Sequence, residues 1–347
     1  MLRPSSFSRG TMAGIGDSPT RRPTIYDLAQ IAGTSPSAVS AILNGTWKKR
    51  RISASLAERV SRIAEEQGYA VNLQARLLRR ERSRIIGMII PKYDNRYFGA
   101  IAEQFEAMAR ERGLFPVITC TQRDPALEVE AAREMISYQA ECLIATGATD
   151  PDRIAGVCAP SGVRSINLDL PGTAVPSVVS DNFGGARDLA RRILDRVTRD
   201  FGAPAPLYFI GGRAQDHNTR ERLRGFLAAH AELGLAVPPA RCLMHGYSAT
   251  KTEAALAGVD IAEHSGFFVN STIALEGVVR WIYGAPRLPD LRFGCFDWDP
   301  FARFLPQNIG MMRQDIGAML TRVFDFVDRP PAGAPRIETP CIFEPAN

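Results

Sequence analysis

The chain has 347 residues, of which 45% are hydrophobic, with six cysteines and a formal net charge of +5. This length exceeds the usual size of a single hydrophobic core, so two or three domains are expected. No apolar run approaches about 18 residues and the first twenty residues lack an apolar core, which argues against a membrane-spanning helix and a secretory signal. The cysteines show no metal-ligand spacing, so we expect reduced thiols in a cytoplasmic protein that uses no metal or cofactor.

The positive charge is concentrated in the first quarter of the chain. Residues 1–84 carry 15 Lys and Arg against 6 Asp and Glu, whereas the remaining residues carry 27 against 31. A basic segment on a mildly acidic body is typical of a module that binds a polyanion and is attached to a separate regulatory domain. A basic face that only improves solubility is the alternative.

Two short helices joined by a glycine turn are predicted within residues 24–45, TIYDLAQIAGTSPSAVSAILNG. Apolar residues recur on one face of each helix, and Gly33 permits the corner between them. Ser35 and Pro36 suit the N-cap and the first position of the second helix, and Asn44-Gly45 suits its end. This pattern predicts a helix-turn-helix, whose second helix lies in the major groove of DNA.

The segments around this motif complete a DNA-binding head at 23–70. A third helix is predicted after a basic loop at 47–51, and residues 1–22 are predicted to be a disordered leader, in which Met12 is an alternative start. Segment 71–83 favours a helix of about two turns, which is too short to be stable alone. We therefore expect a hinge helix that folds only on binding, with an ordinary charged linker as the alternative.

From residue 84 to 347 short apolar runs alternate with amphipathic helices. Continuous apolar strands separated by helices predict parallel sheets covered on both faces. About ten strands are too many for one compact sheet, so we predict two α/β lobes, at about 84–178 plus part of 310–338 and at about 179–309. Ligands in such folds bind at the carboxyl ends of strands, here in the cleft between the lobes. The predicted strands are 85–90, 115–119, 142–145, 164–168, 177–180, 207–210, 241–244, 266–269, 293–296 and 309–312.

Several motifs in this order resemble the LacI/GalR family of bacterial transcription regulators. They are TIYDLAQIAG…SAVSAILNG, ISASLAERVSRIAEEQGYAVN and LQARLL followed by RSRIIGMIIP, with weaker similarity at NRYF, SVVSDNFGGA, FIGG, RLRGF, VNSTIAL and GCFD. The resemblance implies a small all-α helix-turn-helix head joined to an α/β effector domain of two lobes with parallel sheets, similar to periplasmic binding proteins. It implies a sequence-specific repressor whose affinity for DNA is controlled by a small-molecule effector, for example a sugar.

The resemblance further implies a homodimer on a pseudo-palindromic double-stranded DNA operator. Paired hinge helices would fold in the minor groove, where Leu78 of each subunit wedges between base pairs. Packing within the dimer is the alternative role for Leu78. Ala41 replaces a common arginine, so base readout is expected to depend more on other residues and on DNA shape. The residues expected at DNA are Thr24, Tyr26, Ser35, Pro36, Ser37, Ser40, Asn44, Lys48, Lys49, Arg50, Arg51, Asn72, Ala75, Arg76 and Leu78.

An effector pocket of aromatic and polar side chains is also implied. Aromatic rings can stack on a sugar face or a flat base, and carboxylates with an arginine and an asparagine suit a polyhydroxylated ligand. Phe98 could instead belong to the core, and Asp297 could cap a helix. Arg96 and Ser271 depart from the family pattern, so the effector stays unidentified. The expected effector residues are Tyr97, Phe98, Asp169, Arg222, Tyr247, Asn270 and Asp297, with Gln122, Asp181 and Arg220 as second choices.

Two other classes of protein share parts of this pattern. A transport-type binding protein has a two-lobed cleft, but it would need an export signal and has no use for a DNA-binding head. An α/β enzyme would need a catalytic constellation, and the sequence has no HExxH, GxSxG, Walker or GxGxxG motif. We therefore expect a regulator and no enzyme.

Overall fold

The computed structural model describes residues 23–69, 83–284 and 290–346. The predicted leader and most of the predicted hinge lie outside the described residues. The chain divides into two compact units, with the division between residues 82 and 83. The two units, here called the head and the body, are described separately.

The described head consists of α1 (Ile25–Ala32), α2 (Pro36–Leu43) and α3 (Ala54–Glu66). Each helix contributes a fully buried side chain to one small core, namely Leu28, Val39 and Val60. Gly33 ends α1 in the left-handed conformation at φ 62°, which is the backbone that the corner between α1 and α2 requires. Residues 24–45 therefore form the predicted pair of helices.

The body contains two sheets of six strands each. The first has the order β11-β5-β4-β3-β1-β2 and the second the order β12-β10-β9-β8-β6-β7. The pairings are parallel except for β12, which pairs antiparallel to β10. The first sheet contains β1 (Ile85–Ile90), β2 (Phe115–Cys120), β3 (Cys142–Thr146), β4 (Arg164–Leu168), β5 (Ser177–Ser180) and β11 (Arg336–Thr339); the second contains β6 (Tyr208–Ile210), β7 (Cys242–Leu243), β8 (Gly266–Val269), β9 (Arg292–Phe296), β10 (Asn308–Gln314) and β12 (Cys341–Pro345).

Helices cover both faces of each sheet, which is why the central strands read as unbroken apolar runs. In β1, Ile86 and Met88 pack on one face and Ile85 and Ile89 on the other. The helices of the body are α4 (Arg96–Glu111), α5 (Pro125–Ser137), α6 (Pro151–Cys158), α7 (Asn182–Phe201), α8 (His217–Ala231), α9 (Ala249–Ala257), α10 (Thr272–Gly284) and α11 (Ile316–Asp328), with short 3-10 turns at Ala159–Ser161, Pro239–Arg241 and Ala302–Phe304. In the described part of the chain, no helix is long and apolar enough to cross a membrane.

The end of the chain differs from the sequence prediction. Strands β11 and β12 were not predicted, because Pro335 and Pro340 interrupt this segment and only four or five residues lie in each strand. Segment 310–338 is divided between the lobes. Part of it was predicted to join lobe 1, and α11 packs against the core of the first sheet, whereas β10 pairs with β9 in the second sheet.

The chain therefore passes between the lobes at residues 180–181, 314–315 and 340. These connections are bonded to one another. The Ser180 hydroxyl donates to Oε1 of Gln314 at 2.6 Å, and the Asp181 amide donates to the carbonyl oxygen of Thr339 at 2.8 Å. The connections thus form one compact strip at the base of the cleft.

Candidate DNA-binding head and effector cleft

The α2 helix places a row of serines on the outside of the head. Ser35 is the N-cap and accepts a hydrogen bond from the Ala38 amide at 3.2 Å, and its hydroxyl lies 3.0 Å from that of Ser37. Ser35 and Ser37 are exposed, Ser40 is half-buried, and the side-chain amide of Asn44 donates to the Ser40 carbonyl at 2.8 Å. This face carries small hydroxyl groups, which can donate to or accept from bases and phosphates.

Ala41 lies on another side of α2 and is only 4% exposed. Its carbonyl accepts the Thr46 amide at 2.9 Å. At this position the helix therefore presents a buried methyl group and no donor that could reach a base.

The remaining candidates of the head lie at its start and in the loop before α3. Thr24 forms a capping box with Asp27, so its side chain is engaged within the head, whereas Tyr26 is 71% exposed. The loop exposes four consecutive cations, Lys48, Lys49, Arg50 and Arg51. Asn72, Ala75, Arg76 and Leu78 lie outside the described residues.

In the body, the two lobes repeat one arrangement at the carboxyl ends of their sheets. Asp169 directly follows β4 and Asp297 directly follows β9, with left-handed φ angles of 74° and 70°. Aspartate adopts this conformation more readily than most residues. The Asp169 amide donates to the Val178 carbonyl at 3.0 Å, and the Asp297 amide donates to the Met312 carbonyl at 2.9 Å. Each aspartate is thus fixed by the neighbouring strand and buried, with 3% and 8% of its surface exposed.

Asp169 is one of the points where the two lobes meet through side chains. Its Oδ1 atom accepts hydrogen bonds from the Tyr97 hydroxyl at 3.2 Å and from the side-chain amide of Asn218 at 3.0 Å. Tyr97 lies at the start of α4 in lobe 1, whereas Asn218 lies at the start of α8 in lobe 2. The structure therefore describes a closed cleft.

A buried arginine organises the lobe 2 side of the cleft. Arg222 is 3% exposed; its Nε donates to Oδ1 of Asn182 at 2.8 Å and its Nη1 to the carbonyl of Asn270 at 2.7 Å. Its guanidinium group lies 3.7 Å from the centroid of the Phe296 ring. Asp297 accepts a hydrogen bond of 2.5 Å from the Gln314 side chain.

The charges in this region influence one another. Burial raises the pKa of Asp169 and of Asp297 above the ordinary value for aspartate, because removal from water disfavours the ionised form. Arg222 opposes this rise at both carboxyls. Arg222 therefore favours the ionised form of both aspartates, which is the form that accepts hydrogen bonds on both oxygens.

Aromatic side chains and one unpaired polar atom complete the cleft. The Tyr97 and Phe98 ring centroids are 5.1 Å apart, and the Tyr247 hydroxyl lies 3.2 Å from that of Thr219. Oδ1 of Asn270 is buried and has no hydrogen-bond partner among the described residues. Because an unmet buried acceptor is costly, this atom is suited to receive a donor from a bound ligand.

The sequences of known proteins identify the family. No family model matches the chain. It is 65% identical over 190 residues to the ribitol operon repressor of Klebsiella aerogenes, a match that covers 55% of this chain and 70% of that protein. It is 30% identical over 323 residues to the sucrose operon repressor of Klebsiella pneumoniae, covering 89% and 92% of the two chains.

The chain belongs to the LacI family of transcriptional regulators. The fold agrees with this assignment. The structure of a lac repressor dimer bound to operator and the anti-inducer ONPF matches 93% of this chain and 98% of its own, with a TM-score of 0.75 at 17% identity. The predicted fold class is confirmed.

Within this LacI-family body, the structure brings the seven predicted effector residues to one region. Hydrogen bonds join Tyr97 to Asp169 and Arg222 to Asn270. Of the second choices, Gln122 and Arg220 are exposed, and Asp181 caps α7 by accepting the Gly184 amide at 2.7 Å. A role in effector binding stays a prediction for each residue.

The sequence did not single out several members of this network. Asn182 lies two residues after β5, and Gln314 is the last residue of β10. Both lie at the same edge of the sheets as the predicted residues, and this position could have identified them. Asn218 lies four residues before Arg222 on α8, one helical turn away. Arg123 follows β2 in a loop whose conformation gives no sequence signal.

Proposed function

We propose that this LacI-family chain is an operon repressor controlled by a neutral polyol or sugar of about five carbons. The 65% identity to a ribitol operon repressor supports this size class. The head and body would act as a homodimer in the cytoplasm, on a pseudo-palindromic operator, with Leu78 of each hinge in the minor groove.

The observation that carries the effector proposal is the polar network that spans both lobes. Asp169 accepts a donor from each lobe, and Arg222 and Asp297 lie on the opposite wall. Carboxylates and amide oxygens accept hydrogen bonds from hydroxyl groups, and the guanidinium and amide N–H groups donate to them. A ligand with several adjacent hydroxyls satisfies both kinds of group at once.

The coupling to DNA follows from the closed cleft. An effector that stabilises one arrangement of the lobes alters the spacing of the hinge segments in a dimer, and so their ability to fold on DNA. Such coupling is reciprocal, so DNA changes effector affinity by the same factor as the effector changes DNA affinity. Release by the effector corresponds to induction, and tighter binding corresponds to corepression.

A regulator fits better than the two alternatives. The exposed serines and the basic loop of the head serve no purpose in a transport-type binding protein. The polar side chains of the cleft are bonded to one another in a way that positions acceptors and donors. The Tyr97 hydroxyl donates to Asp169, but burial raises the pKa of Tyr97 well above its ordinary value, so this hydroxyl is not activated as a nucleophile. We therefore assign the cleft to binding and not to turnover.

The test is a titration of the full chain on DNA. DNA that binds the chain is first selected from a randomised pool, and its affinity is measured by fluorescence anisotropy with ribitol, D-arabitol, xylitol, D-ribulose, sucrose and fructose 1-phosphate. We expect at least one pentitol or pentulose to change the affinity about fivefold or more. If no DNA sequence is preferred, the proposal that the chain is a sequence-specific repressor is refuted. If none of the compounds alters the affinity for the selected DNA, the proposed effector class is refuted.

A further inference from the structure

The loop between β2 and α5 carries an arginine in an unusual backbone. Gln122 and Arg123 are consecutive and both left-handed, with φ of 52° and 58°. Non-glycine residues rarely adopt this conformation, and such residues concentrate at functional sites. Gln122 is exposed, whereas Arg123 is half-buried.

The Arg123 guanidinium lies between aromatic rings of both lobes. Its Cζ atom is 6.0 Å from the Phe98 ring centroid in lobe 1 and 5.8 Å from the Tyr247 ring centroid in lobe 2. No carboxylate in the described ranges comes within the 4.0 Å of an ion pair with it, and its N–H groups donate to no atom there. Arg123 therefore brings a cation with unused donors into the cleft.

A matching unused acceptor lies on Asp169. Its Oδ1 atom accepts the bonds from Tyr97 and Asn218, but its Oδ2 atom accepts none from the described part of the chain. This oxygen and the Phe98 ring both border Gly147, where a Cβ atom would lie 3.3 Å from Oδ2 and 3.1 Å from the ring. Arg123 also lowers the pKa of Asp169 more than Arg222 does. Arg123 and Asp169 thus border the same part of the cleft around Phe98, and no hydrogen bond or ion pair joins them in the described part of the chain.

We propose that Arg123 and Asp169 together recognise one unsubstituted hydroxyl group of the effector. An N–H of Arg123 donates to the hydroxyl oxygen, and the hydroxyl donates its proton to Oδ2 of Asp169. This inference rests on the proposed function, and it adds a prediction of which effectors the cleft prefers: those with a free hydroxyl at this position. A phosphate at this position would be repelled by the carboxylate of Asp169, and a ketone has no proton to donate to it. A ligand without a group at this position would leave both Arg123 and Asp169 without a partner.

Calorimetric titration of the full chain tests this assignment. The ligands are ribitol, or the compound of the panel above that binds best, and its analogues in which one terminal hydroxyl is absent or phosphorylated. The variants are Arg123→Gln and, as a matched control, Arg133→Gln, an exposed arginine on the adjoining helix. For wild type and the control, we expect one deoxy or phosphorylated analogue to bind about tenfold or more weakly than the parent, as for a lost hydrogen bond to a charged group.

In Arg123→Gln, the parent should lose about tenfold in affinity and the preference over the deoxy analogue should collapse to within about twofold. A merely structural role would weaken all ligands alike and keep the preference, and this would overturn the proposal. Equal binding of all the analogues to wild type would also overturn it. If the wild-type chain binds no compound of the panel, the proposed effector class fails and the inference falls with it.

Discussion

The two lobes of the body place an aspartate at the same point of their sheets but surround it differently. In lobe 2, Asp297 is held by Gln314 at 2.5 Å and shares the field of Arg222, which is itself bonded on two sides. In lobe 1, Asp169 accepts one side-chain hydrogen bond from each lobe, and in the described part of the chain Arg123 makes no ion pair. The comparison indicates that the cation of the lobe 2 wall is already bonded within its own lobe, whereas the cation of the lobe 1 wall keeps its donors for a ligand. Both walls keep an unpaired acceptor among the described residues, which is Oδ1 of Asn270 in lobe 2 and Oδ2 of Asp169 in lobe 1.

The largest effect should come from removing the cation of lobe 2. In Arg222→Met, the Asn182 side chain and the Asn270 carbonyl lose their donor, and two buried carboxyls lose a counter-charge. Breaking such a buried network costs about 3–5 kcal/mol, so denaturant unfolding of the body should shift by that amount. Arg220→Met, on an exposed position of the same helix, should change stability by less than about 0.5 kcal/mol. Similar losses in both variants would show that Arg222 is not the organising group.

The second prediction compares the two aspartates directly. Asp297→Ala should abolish the response of DNA binding to effector while leaving DNA affinity without effector within about twofold, because the head is a separate unit. Effector affinity should fall about tenfold or more for each lost charged hydrogen bond. Asp169→Ala should weaken the effector likewise, and it also removes the bond to Asn218 between the lobes. A normal effector response in Asp297→Ala would remove this residue from the pocket.

The third prediction concerns the pH dependence of stability, which should differ between the two lobes. The four histidines, 217, 230, 245 and 264, all lie in lobe 2. His230 is fully buried, accepts the Leu207 amide on Nε2 at 3.0 Å and has Nδ1 2.7 Å from the Phe226 carbonyl. Burial lowers the pKa of His230 below 6.5, so below pH 6.5 the unfolded chain binds more protons than the folded chain.

Its contribution to stability is therefore complete above pH 6.5 and is lost as the pH falls toward the folded value, by up to about 1.4 kcal/mol per pH unit. Hydrogen exchange between pH 7.5 and 5.5, corrected for the intrinsic rates, should show the loss in lobe 2 and not in lobe 1. His230→Gln should reduce this slope, whereas the exposed His264→Gln should not. An equal loss of stability in both lobes at low pH would contradict the prediction that only lobe 2 is sensitive to pH.

The smallest effect concerns an ion pair across the cleft. Arg96 in lobe 1 and Asp299 in lobe 2 are 3.2 Å apart, with their side chains 52% and 27% exposed. Exposed pairs contribute about 0–1 kcal/mol, so Arg96→Gln should lower effector affinity by at most about fivefold and reduce its dependence on salt. Arg110→Gln removes a pair of similar exposure within one helix and should change neither quantity. If effector affinity still depends on salt in Arg96→Gln, this dependence comes from other charges.

Much of this architecture could be predicted from the sequence, for identifiable reasons. Unbroken apolar runs such as 85–90 indicate strands buried on both faces, and the family motifs led to Asp169, Arg222 and Asp297. Arg123 could not be predicted, because its position depends on two left-handed residues that carry no glycine signal. The short edge strands β11 and β12 lie among prolines, and the pairing of β11 depends on β5, a strand more than a hundred residues away.

Those late strands have a consequence for synthesis on the ribosome. Residues 85–180 emerge with five strands of the first sheet, yet the edge strand β11 and the covering helix α11 emerge only after about 150 more residues. At about 5–20 residues per second, this delay lasts roughly 10–30 seconds. During that time the apolar surface that Met319, Leu320, Val323 and Phe324 will cover has no partner within its own chain. A nascent chain of this repressor is thus exposed to aggregation until α11 and the edge strands β11 and β12 have emerged.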